Sequence, residues 1–161
     1  MFVVTYLGFM EYLSYDHENK LLGGNIDKGD TAVNFSCCYD HHGDGTDVNI
    51  YEGDAVEYAS LDLAKLESLP DSSLNNNEYK YEQKWVPVSA KTEVGLRAID
   101  LARQAVTSVD GRQQKKAEEI FSLLMSHEGS FYAYIYNDSD SIDFWVINPE
   151  LAKFVSINYY N

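Results

Sequence analysis

The densest run of chemically reactive side chains in this sequence lies between positions 37 and 47. It reads Cys37-Cys38-Tyr39-Asp40-His41-His42-Gly43-Asp44-Gly45-Thr46-Asp47 and offers thiols, imidazoles and carboxylates. A zinc site usually pairs a spaced cysteine motif with a second, distant pair of ligands. This chain has no C-x₂-C spacing, and its remaining histidines are His17 and His127. We therefore expect no zinc site here.

The same run also has the beginning of a calcium-binding loop. Asp40, His42 and Asp44 occupy the first, third and fifth positions of such a loop, and Gly45 occupies the sixth. The twelfth position, which should be a bidentate Glu, is Tyr51. Imidazole is also a poor ligand for a hard cation. The spacing therefore indicates a solvated loop, and we expect neither a metal nor any other cofactor.

Catalytic groups are present in the sequence, but their arrangement does not indicate an active site. The adjacent cysteines near His41 have the chemistry of a nucleophile and its base, yet nearness in sequence does not supply the geometry of a Cys–His pair. Asp138, Asp140 and Asp143 could act as acids and bases, but turns favour aspartate in any case. We predict that the protein is not an enzyme. The cysteines are expected to be two free thiols, as in a reducing cytoplasm.

The acid-rich segment 40–57 is the strongest candidate for a binding surface. Its acids are Asp40, Asp44, Asp47, Glu52, Asp54 and Glu57. One interpretation is a solvated face that keeps the protein soluble. The other is a rim of carboxylates that attracts a cationic partner, with Tyr51 and Tyr58 as the aromatic anchors that fix affinity. We predict that the partner-binding residues lie in this segment.

The negative net charge of the chain favours a basic protein as its partner. The chain of 161 residues has 12 Lys and Arg against 26 Asp and Glu, a net charge of −14. Direct binding to DNA or RNA requires a cationic footprint, so we exclude it. No apolar stretch approaches the roughly 20 residues that a membrane-spanning helix needs, and we expect no export signal because the opening residues lack a basic region and a small-residue cleavage site. We expect a single cytoplasmic domain over 1–161, and a homodimer is compatible with the sequence.

The hydrophobic pattern predicts an α+β fold, in which a mainly antiparallel sheet is backed by two amphipathic helices. The expected helices are 92–108 and 111–127. A hairpin is expected over 131–149. The other expected strands are 2–7, 33–37, 48–51, 79–86 as an exposed edge strand, and 154–160.

Local signals also predict where helices begin and end. Ser60 is a suitable N-cap for a short helix over 61–69. Asp110 and Gln113 have the spacing of a capping box at the start of the helix 111–127. Gly129 is well placed to end that helix in a left-handed conformation.

The chain resembles the small host-takeover inhibitors of tailed phages, which are acidic, rich in tyrosine and without catalytic motifs. Its length and its opening, MFVVTYLGFMEYLSYDHENKLL, are similar to those of the Pin-type inhibitors of the bacterial Lon protease in T-even phages. The resemblance implies a non-enzymatic protein that acts in the host cytoplasm and blocks this ATP-dependent protease. It identifies no binding residues.

A second function is compatible with the same composition. Carboxylates spaced over a surface can take the place of DNA phosphates, and the protein would then be a DNA mimic that inhibits a restriction enzyme, a nuclease or an RNA polymerase. The geometry of the charges distinguishes the two functions. A mimic needs rows of carboxylates at the phosphate spacing, whereas an inhibitor needs a local acidic patch with apolar anchors.

Overall fold

The computed structural model describes residues 28–37, 45–61, 81–137 and 140–160. The strands in these ranges are β1 (Asp30–Cys37), β2 (Gly45–Glu52), β3 (Tyr81–Pro87), β4 (Phe131–Tyr136), β5 (Ile142–Asn148) and β6 (Lys153–Tyr160). The helices are α1 (Ala55–Ala59), α2 (Glu93–Thr107) and α3 (Gly111–Ser126). The predicted α+β class is confirmed. The expected strand 2–7 lies outside the described residues, as does the expected helix 61–69 apart from Leu61.

The six strands form one antiparallel sheet in the order β1-β2-β6-β5-β4-β3. β3 is at one end of this order, as the sequence predicts. β6, the last strand in the chain, lies at the centre, where Ile157 is opposite Val48 of β2 and Phe144 of β5. It therefore connects the β1–β2 hairpin to the β4–β5 hairpin.

The two long helices cover one face of the sheet. α2 begins at Thr92, whose Oγ1 accepts a hydrogen bond from the Gly95 N–H at 3.0 Å. The buried face of α2 includes Ala98, Ile99, Leu101, Ala102, Ala105 and Val106. The buried side chains of α3 are Ala117, Ile120, Phe121 and Leu124. These residues share one apolar cluster with Tyr132, Phe144, Val146 and Val155 of the sheet. Both predicted helices and the predicted hairpin are confirmed.

The opposite face of the sheet is also apolar near its centre. Because side chains alternate along a strand, Val146 faces the helices whereas its neighbours Trp145 and Ile147 face the other way. A second buried cluster forms there from Tyr51, Tyr58, Ala133, Ile135, Trp145, Ile147, Ala152 and Phe154. β5 is therefore buried along its whole length.

The capping box and the glycine terminator predicted for α3 are wrong, although its bounds agree with the prediction. Asp110 precedes the helix but makes no capping hydrogen bond with its side chain. Gln113 instead accepts the N–H of Asn34 in β1 through Oε1, at 3.1 Å, and so satisfies a backbone donor of the sheet. At the other end, His127 leaves the helix with extended backbone, and Gly129 is not among the described glycines with a positive φ.

Candidate functional site

An open cavity of about 340 Å³ lies where the chain enters β1 and leaves β2. Its described lining consists of Gly29, Asp30, Glu52, Gly53, Asp54 and Glu57. Four of these six residues are carboxylates and none is basic. The antiparallel register places Asp30 opposite Glu52, so acids from distant parts of the sequence meet at one end of the strand pair. We call this cavity the acidic pocket.

Two glycines allow the backbone of the pocket to close tightly. Gly29 has a φ of +89°, in the left-handed region, and a Cβ at this position would overlap the carbonyl of Glu52 and the Cα of Gly53. A Cβ on Gly53 would overlap the buried ring of Tyr58. Neither neighbour can move aside, because one is backbone and the other is a packed core side chain. Glycine is therefore required at both positions.

The short helix α1 fixes the acids that follow β2. Asp54 caps its start, since Oδ1 accepts the N–H groups of Val56 at 2.8 Å and Glu57 at 3.1 Å. Ser60 ends the helix with helical backbone angles, and its hydroxyl donates back to the Glu57 carbonyl at 2.6 Å. Ser60 is therefore the C-cap of α1, and the helix 61–69 that it was predicted to begin lies outside the described residues apart from Leu61. The sequence analysis did not predict α1 itself.

Tyr51 and Tyr58 stabilise the pocket from beneath. The Tyr58 hydroxyl donates to the carbonyl of Lys28 at 2.9 Å. The Lys28 ammonium donates to the Tyr51 hydroxyl at 3.2 Å and lies 4.4 Å from the centroid of that ring. Tyr51 is 4% exposed and Tyr58 is 0% exposed. The prediction that these tyrosines are surface anchors is therefore wrong, because their rings fill the core and hold Lys28 in place.

Glu52 is the pocket carboxylate with the clearest electrostatic partner. Its Oε1 accepts a hydrogen bond from the Lys153 ammonium at 2.7 Å. This hydrogen bond, with the charges of Lys153 and Lys116, lowers the pKa of Glu52, although partial burial opposes the change. Glu52 is therefore ionised at neutral pH, and the ammonium group of Lys153 offsets part of its negative charge.

The structure brings together only some of the predicted acids. Asp40 and Asp44 lie outside the described residues. Asp47 is half-buried in β2 opposite Asn158, and it precedes Glu52 by five positions, which is about 16 Å along a strand. It therefore does not reach the pocket. The predicted acids that line the pocket are Glu52, Asp54 and Glu57.

Asp30 is the acid of the pocket that the sequence analysis missed. The signal that could have identified Asp30 is the pairing of the strands predicted at 33–37 and 48–51. Extending that antiparallel pair to its open end places the acid before the first strand opposite the acid after the second.

In the run 37–47, the one cysteine that the structure describes is Cys37, and its thiol is not free as predicted. Cys37, at the end of β1, is disulfide-bonded, so the expectation of two free thiols is wrong. Residues 38–44 lie outside the described ranges. Within those ranges, no group of three or more His, Cys, Asp or Glu side chains has an arrangement that could hold a metal ion.

The described lining of the pocket consists of four acidic residues and two glycines, a composition that suits an ammonium or guanidinium group. Among the helices that the structure describes, none is long and apolar enough to cross a membrane. Comparison of the chain with protein-family models, curated proteins and solved structures gives no match.

Proposed function

We propose that the protein is a non-enzymatic inhibitor that uses the acidic pocket to bind a basic surface of a host protein machine. The candidate target is the ATP-dependent Lon protease, because the chain resembles the Pin-type inhibitors of that enzyme. The resemblance implies action in the bacterial cytoplasm, where the disulfide of Cys37 would be an exception to the usual reduced state of thiols. The observation that carries the proposal is that four acidic residues line one cavity with no basic residue in its described lining, although Glu52 among them is ion-paired with Lys153.

The acidic residues around the pocket favour a cationic side chain of the partner as the group that the pocket binds. Carboxylates around a concave surface sum their fields and attract an ammonium or guanidinium group during diffusional encounter. A guanidinium group also matches carboxylate oxygens in a two-bond geometry. A protruding Lys or Arg of the partner therefore fits the acidic pocket in both charge and shape.

An apolar contact is available beside the charged one. Val56 in α1 is 79% exposed and lies between the pocket residues Asp54 and Glu57 in the chain. Apolar side chains contribute to binding when a partner removes them from water. Val56 therefore replaces the two buried tyrosines as the proposed anchor, and the partner surface should combine a basic residue with an apolar neighbour.

The alternative function, a DNA mimic, requires a different distribution of charge. Phosphates of a duplex form two extended rows, and a mimic must reproduce them. In the described residues the acids of the segment 45–57 instead meet largely at one cavity. This supports the inhibitor of a protein machine over the mimic of DNA.

The test is to neutralise the pocket without changing the fold. The variant D30N/D54N/E57Q removes three carboxylates, and Asn at position 54 keeps the oxygen that caps α1. The matched control, E82Q/D100N/E119Q, makes the same change in net charge at three exposed positions outside the pocket. Both variants are assayed with the parent for inhibition of casein degradation by Lon and of DNA cleavage by a restriction nuclease.

We expect the parent and the control to inhibit Lon, and the pocket variant to inhibit it at least about tenfold less well, since lost charge contacts at an interface commonly cost 1.4 kcal/mol or more. Equal inhibition by the two variants would exclude the pocket as the binding site. Inhibition of the nuclease alone would support the DNA mimic. Inhibition of neither enzyme would exclude Lon as the target.

A further inference from the structure

We draw no further inference here: the strongest candidate, the exposed aromatic patch in which Tyr81 of β3 stacks on Tyr136 of β4 beside the Arg97–Asp140 ion pair, has nothing in the described part of the structure to show what partner covers it.

Discussion

The acidic pocket and the junction around Asn148 are both polar clusters at the edges of an apolar core, yet they are built in opposite ways. Asn148 is 0% exposed, and its amide makes three hydrogen bonds, to Leu151, Ser130 and His127. The described lining of the pocket instead holds four acidic residues, and the basic partner of one of them, the Lys153 that pairs with Glu52, is not part of that lining. Satisfied buried groups stabilise a fold, whereas converging like charges oppose it. We infer that the junction serves stability and that the pocket serves binding.

The largest effect in this comparison should come from Gly29→Ala. The new methyl group would overlap the backbone of Glu52 and Gly53, and the residue would have to keep a φ of +89°. We expect the free energy of unfolding to fall by more than about 3 kcal/mol, measured by urea denaturation. A loss below about 1 kcal/mol would show that the pocket backbone is not as tightly closed as the structure has it.

Gly111→Ala is the matched control for this substitution. Gly111 begins α3, and a Cβ there meets nothing within 4 Å. Alanine is a better helix former than glycine, so the free energy of unfolding should rise by up to about 1 kcal/mol. The two substitutions should therefore have opposite signs, although both add the same methyl group.

Asn148→Ala should have the second largest effect. It removes three hydrogen bonds and leaves the Leu151 N–H and the buried Ser130 hydroxyl without their partner. We expect a loss of about 2–3 kcal/mol in urea denaturation. Asn34→Ala, at an exposed position in β1, should change stability by less than about 0.5 kcal/mol. Equal losses in the two variants would contradict the structural role assigned to the junction.

The elements of the fold were predictable from the sequence to a greater degree than the contacts that build the acidic pocket. The helices α2 and α3 and the hairpin β4–β5 have local apolar periods, so their existence was predictable, although the end signals read for α3 were wrong. The contact between Asp30 and Glu52 depends instead on strand register, which is not local. The burial of Tyr58 depends on α1, which is only five residues long and has no apolar period to reveal it. The position of β6 at the centre of the sheet likewise follows from pairing between distant strands.

The third prediction concerns the stability of the pocket variant D30N/D54N/E57Q. Removing three like charges that face one cavity relieves repulsion, and the hydrogen bonds of the α1 cap are retained. We expect the free energy of unfolding to be unchanged or to rise by up to about 1 kcal/mol at low salt, and this gain should shrink as salt is added. Urea denaturation at two salt concentrations measures it. A clear loss of stability would assign the pocket carboxylates to the fold and not to binding.

The smallest effect should come from Glu52, because its hydrogen bond with Lys153 is partly exposed. The lowered pKa of Glu52 means that its contribution is present above the pKa of an ordinary glutamate and is lost as the pH falls through the lowered value. Relative to the parent, Glu52→Gln should therefore lose about 0.5 kcal/mol at neutral pH and nothing in acid, once the pH has fallen below the lowered pKa of Glu52. Urea denaturation of both proteins across this range measures the difference. A difference that persists in acid would mean that Glu52 stabilises the pocket through packing, since a protonated carboxyl and an amide have nearly the same size.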